Sequence, residues 1–135
     1  QRIQNSAARI VTLTRKHDHI TPVMFDLHWL PVKQRIIYTV LLLAFKALNG
    51  LAPIYISDLI KKYNPQRTLR SSSQHLLKVV PAKSVTAKSV TYGRSFSVAA
   101  PLLWNELPLA IRSSETTTQF KTRLKTHLFK IVYND

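Results

Sequence analysis

Seven prolines set the grain of this 135-residue chain: Pro22, Pro31, Pro53, Pro65, Pro81, Pro101 and Pro108. Proline lacks a backbone N–H and its ring clashes with the preceding turn, so a helix accepts it in its first turn and stops ahead of it elsewhere. The segments between prolines read as short, closely connected helices. In Thr21-Pro22 an N-cap hydroxyl stands before proline at the first helical position, which predicts a short helix through Val23, Met24 and Leu27. Leu30-Pro31 ends it and opens a helix over residues 31–48. Asn49-Gly50 closes that helix, because glycine adopts the left-handed cap conformation. Its expected core face is Val32, Ile36, Val40, Leu43 and Ala47, with Lys33, Arg35 and Lys46 toward solvent. Ala52-Pro53 opens a further helix with Ile56, Leu59 and Ile60 inward, and Asn64-Pro65 terminates it.

The two ends of the chain are also helical by periodicity. Over residues 1–13, Ile3, Ala7, Ile10 and Val11 share one face. Near the other end, residues 98–107 are apolar, with Trp104 as an anchor and Pro101 near a helix start, and residues 108–111 form a turn or short helix. Thr116, Thr117 and Thr118 offer N-cap hydroxyls to a last helix over residues 118–132, with Phe120, Leu124, Leu128 and Ile131 on one stripe. The middle differs. Residues 76–80 and 89–96 are rich in β-formers and alternate, which predicts a hairpin joined through residues 81–87. The fold class expected is mainly α: several short helices with a small β-hairpin in the middle. Three stretches follow, 1–64, 65–97 and 98–135, the last packing on the first in one compact unit.

Charge narrows the function. Twenty Lys and Arg against six Asp and Glu give a net charge of +14, with 45% of the residues hydrophobic. Such a chain holds a core and attracts polyanions, nucleic acid ahead of an anionic membrane. No apolar run reaches the roughly 20 residues of a membrane-spanning helix. Residues 1–9 are polar, which gives no sign of a secretion signal and suggests an intracellular protein. With no initiator Met, the chain reads as a piece of a longer protein.

The residues speak against chemistry. Absence of cysteine removes thiolate catalysis and every cysteine-based metal site. Gly50 and Gly93 are the two glycines, too few for a phosphate-cradling glycine loop. No two of the six carboxylates lie within six residues of each other, whereas a two-metal site needs them clustered. His17, Asp18 and His19 could reach a metal with His28, but a polar turn with Asp18 capping locally explains them more simply. The expectation is a chain that is no enzyme by itself, with no cofactor or metal of its own.

Binding has two candidate surfaces. Between Leu59 and Asn105 there is no acidic residue but eight cations: Lys61, Lys62, Arg67, Arg70, Lys78, Lys83, Lys88 and Arg94. With Ser71, Ser72, Ser73, Gln74 and Tyr92 they supply phosphate contacts, hydrogen bonds and a ring that can stack on an unpaired base. Tyr92 and Phe96 equally suit the core of the hairpin. On the last helix Lys121 and Lys125 form one ridge beside the apolar stripe, and Arg123, His127 and Lys130 another. That helix suits a phosphate backbone or an anionic membrane, or packs its stripe on its own domain. Trp29 and Trp104, each shortly followed by a proline, read as packing anchors.

A set of motifs in order carries a resemblance. They are His19-Ile20-Thr21-Pro22, Leu27-His28-Trp29-Leu30-Pro31-Val32, Lys46-Ala47-Leu48-Asn49-Gly50-Leu51-Ala52-Pro53-Ile54-Tyr55, Leu69-Arg70-Ser71-Ser72, and Tyr92-Gly93-Arg94-Ser95-Phe96-Ser97. Ala99-Ala100-Pro101-Leu102-Leu103-Trp104-Asn105 and Phe120-Lys121-Thr122-Arg123-Leu124-Lys125-Thr126-His127-Leu128-Phe129 complete it. Nearly the whole chain resembles the C-terminal end of LINE-type (non-LTR) retrotransposon reverse transcriptases of the jockey-like broad group.

The resemblance implies a parent RNA-directed DNA polymerase, using Mg²⁺, that copies element RNA at nicked chromosomal DNA in the nucleus. Residues 1–11 would end its thumb region. The family's catalytic Asp pair has no counterpart here, and neither has the Cys/His zinc knuckle that ends some relatives. What it implies for this chain is a module that grips template RNA or target DNA beside the rest of the polymerase. The alternative is a structural or protein-interaction domain that props the thumb or mediates oligomerisation.

Overall fold

The computed structural model describes residues 1–65, 74–79 and 95–133. Among them the chain is mainly α-helical: α1 (Arg2–Thr12), α2 (Ile20–Asp26), α3 (Val32–Leu48), α4 (Ile54–Ser57), α5 (Phe96–Glu106), α6 (Leu109–Arg112) and α7 (Thr117–Tyr133). It forms two compact units, one of Gln1–Tyr38 with Leu124–Asp135 and one of Thr39–Arg123. The division falls within α3 and α7.

Three helices end by the same device. After α3, Gly50 N–H donates to Ala47 O and Leu51 N–H to Lys46 O, with Gly50 at φ 69°. This paired arrangement satisfies carbonyls that the helix end would leave bare, and it needs a left-handed residue just past the cap. Leu13 at φ 55° does the same after α1, and His28 at φ 53° after α2. Glycine signalled the first. Nothing in the residue types signalled the other two.

In the first unit, α1 packs on α2 and Ala8 is fully buried. The predicted face of α1 is corrected: Ile3 and Ile10 are 87% and 74% exposed. Ala8 lies inward because a methyl group permits close helix approach. Helix α2 starts at Ile20 with His19 at the cap, so Thr21 is a helical residue and Pro22 sits within the first turn, where its missing N–H costs nothing. Loop ends are tied to α1 and α7: Gln4 Nε2 donates to Leu30 O, Val32 N–H to Gln1 Oε1, and Tyr133 Oη to Trp29 O at 2.7 Å. Phe25, His28, Phe129 and Tyr133 form a ring cluster with centroids 4.6 to 6.5 Å apart.

The second unit is built on three rings. Phe45 stacks on Phe120 at 4.3 Å, and Trp104 stacks on Phe120 at 5.7 Å. All three are essentially buried. Removing a buried ring of this kind costs roughly 3–5 kcal/mol. The inward face of α3 is Leu41, Ala44, Phe45 and Ala47, and the predicted Ile36 is 60% exposed. Past the end of the one-turn α4, Ile60 is buried as expected, whereas the predicted Leu59 is 46% exposed. Helix α5 begins at Phe96, so Phe96 is helical rather than part of a strand, and Pro101 lies buried inside the helix rather than near its start. Thr116 Oγ1 accepts from Gln119 N–H and caps α7, while Gln119 Oε1 accepts from Glu115 N–H. Phe120, Leu124 and Leu128 are buried as expected, and Ile131 is exposed.

Residues 76–78 are extended, and their partners differ from those predicted. An antiparallel bridge joins Lys62 and Leu77: Tyr63 N–H donates to Leu76 O, and Lys78 N–H to Lys61 O. Asn105 takes the opposite edge, its side chain accepting from Leu77 N–H and donating to Leu77 O, both at 2.9 Å. Residues 76–78 therefore spend these backbone groups on 61–63 and on an amide side chain. The other half of the predicted hairpin, 89–94, and its connection at 81–87 lie outside the described residues.

Candidate nucleic-acid interface

The bridge between Lys62 and Leu77 decides which cations meet. The pairing of 61–63 with 76–78 sets Lys61 opposite Lys78 on one face, and alternation along the extended backbone turns Lys62 to the other face with Leu77; all three lysines are exposed. Asn105 fixes this edge from behind, and Trp104 Nε1 donates to His75 O at 2.8 Å. His75 is left-handed at φ 50°. A lysine cluster on a braced edge is suited to contacting phosphates as point charges. Lys121 and Lys125 are exposed on α7, one helical step apart. Arg67, Arg70, Ser71, Ser72, Ser73, Lys83, Lys88, Tyr92 and Arg94 lie outside the described residues; Gln74 is described and exposed.

Two of the residues flanking the stripe face inward in part. Arg123 donates to Ala110 O at 2.6 Å, which ties α7 to α6. His127 is half-buried, and that burial lowers its pKa from the ordinary histidine value. At the predicted turn after α1, Asp18 accepts from Arg15 N–H and Arg9 donates to Asp18 O. Among the described residues no group of three His, Cys, Asp or Glu is placed to hold a metal ion. No helix among them is long and apolar enough to cross a membrane.

Below the lysine edge the second unit has a groove of about 480 Å³, lined among others by Lys62, Tyr63, Asn64, His75, Arg112, Ser113 and Glu115. Arg112 is the last residue of α6 and is half-buried. Its Nε and Nη1 are shielded from solvent and hydrogen-bond to nothing among the described residues. Leaving such donors unpaired costs about 1–3 kcal/mol each. Burial lowers its pKa from the ordinary arginine value, yet a guanidinium remains charged at neutral pH. Sequence reading passed over Arg112, Tyr63, Asn64 and His75. A basic residue ending a short helix reads as a partner for the helix dipole, and the groove depends on pairing between residues far apart in the chain.

Comparison with protein-family models, with curated proteins and with solved structures gives no match.

Proposed function

We propose that this chain is a non-catalytic nucleic-acid-binding module of the kind that ends a non-LTR retrotransposon reverse transcriptase, gripping template RNA or target DNA during target-primed reverse transcription. The observation that carries this reading is the braced edge that sets Lys61 opposite Lys78, with Lys62 on its other face, at the head of a segment free of acidic residues. The net charge of +14 and the ordered motifs of the resemblance support it. The parent would act in the nucleus, with its Mg²⁺ and its chemistry elsewhere in the polymerase. Filter binding to single-stranded RNA and DNA at two salt concentrations tests the reading. Affinity is expected to fall with salt by about 0.7 log units per log unit for each phosphate neutralised. Replacing Lys61, Lys62 and Lys78 together with Ala should weaken all sequences alike and lower the slope by about two. Folded protein that binds neither strand at low salt rejects the proposal.

One observation favours a second reading, a structural or protein-interaction domain. Ile3, Ile10, Val11 and Leu13 leave α1 and its cap with an apolar exposed face, between 64% and 90% accessible. That reading predicts a salt-insensitive oligomer in light scattering. A monomer at every concentration, combined with salt-dependent binding of nucleic acid, removes it.

A further inference from the structure

We propose that the groove beside the lysine edge is a site for a single nucleotide, with the Arg112 guanidinium as the anchor for its phosphate. Arg112 ends α6 and lines the groove. Two of its three donor nitrogens, Nε and Nη1, are buried without a protein acceptor among the described residues. A cation stripped of water on one side and left without hydrogen bonds is stabilised by an anion on its open side. The groove supplies that side, and Lys62 adds a second positive charge along it. Its volume of about 480 Å³ lies within the 300–1,000 Å³ typical of small-ligand sites. Tyr63 and His75 contribute rings at the same groove, suited to the face of an unpaired base. Asn64 and Ser113 contribute amide and hydroxyl groups for sugar or base edges. Glu115 is a lone carboxylate along the wall, which favours one phosphate over a run of them.

The phosphate could belong to a free nucleotide or to one residue of a single strand. The second source rests on the nucleic-acid reading above, and the first does not. The test is a titration of the full ¹³C,¹⁵N-labelled chain with AMP, following the Arg112 Nε–H resonance, assigned through its side-chain and backbone correlations in the wild-type chain. A saturable shift of that resonance is expected. In parallel, a fluorescein-labelled ten-nucleotide RNA is titrated against wild type, Arg112→Gln and Arg112→Lys, with thermal melts confirming that each variant is folded. Arg112→Gln should lower the salt slope by about one, and Arg112→Lys should recover part of the affinity.

AMP and RNA responses together support the site in a strand-binding protein. An AMP response without RNA binding supports the site for free nucleotides and rejects an RNA strand as its source of phosphate. RNA binding that Arg112→Gln leaves unchanged, with no AMP shift, overturns the site while the wider reading stands. Because the AMP titration uses wild-type protein, a variant that fails to fold leaves the proposal exposed to refutation.

Discussion

Backbone angle and side chain are matched at Gly50 and mismatched at Leu13. Both close a helix with a left-handed residue, but only glycine enters that region without its Cβ meeting a carbonyl oxygen. Space around Gly50 is open, so the cost of a side chain there is backbone strain alone. Gly50→Ala is expected to destabilise by about 1 kcal/mol. Leu13 is 90% exposed, so Leu13→Gly loses almost no burial and should stabilise by up to about 1 kcal/mol. Urea midpoints at unchanged slope measure both. Opposite signs are the content of the prediction; equal signs would mean that the two caps differ in more than their residue. Asn49-Gly50 announces its conformation because glycine is uncommon here and specialised. Leu13 and His28 take the same conformation under tertiary demand, which their residue types do not advertise.

Element existence followed from the prolines, the caps and the 3.6-residue period, and for that reason most helices were legible. Faces were less so. Ile36 and Ile3 have the right spacing for a core stripe and lie exposed, since periodicity defines a stripe but not which neighbour covers it. The segment at 76–78 was legible as extended backbone from its alternation, though it forms an isolated bridge rather than a strand of a hairpin. Its partner was not, because the acceptor and donor on one edge belong to Asn105, a side chain nearly thirty residues away that mimics a neighbouring strand. Asn105→Ala should cost about 1–3 kcal/mol by leaving both Leu77 groups unpaired, and should speed Leu77 amide exchange more than that of Phe120. Asn105→Asp restores the acceptor for Leu77 N–H but not the donor for Leu77 O, so an intermediate loss is expected in the same urea titration. A loss as small as that of an exposed substitution would show that the edge is held without Asn105. The lysine cluster depends on this edge. Its charge was read from composition, whereas its geometry comes from pairing invisible to any local pattern.

At the scale of the whole molecule, stability should fall at both ends of the pH range. Burial lowers the His127 pKa, so the folded chain binds fewer protons than the unfolded chain below about pH 6.5. Stability is then lost as pH drops through 6.5 toward the folded-state value, and His127→Gln should flatten that acid limb. Burial raises Tyr38 and Tyr133, so the folded chain keeps protons that the unfolded chain releases above about pH 10. Stability falls again there, more steeply because ionised Tyr133 can no longer donate to Trp29 O. Thermal melts across pH 5 to 11 check both limbs, and a flat profile at either end would contradict the burial of the group concerned. The two tryptophans turn the division of the chain into an optical experiment. Trp29 belongs to one compact unit and Trp104 to the other. Trp104 is buried with its indole N–H bonded to a carbonyl, so it should emit further to the blue than half-buried Trp29. Trp29→Phe and Trp104→Phe therefore give two single-fluorophore proteins, each reporting one unit. Because α3 and α7 contribute residues to both units, the two emission signals should unfold with coincident midpoints.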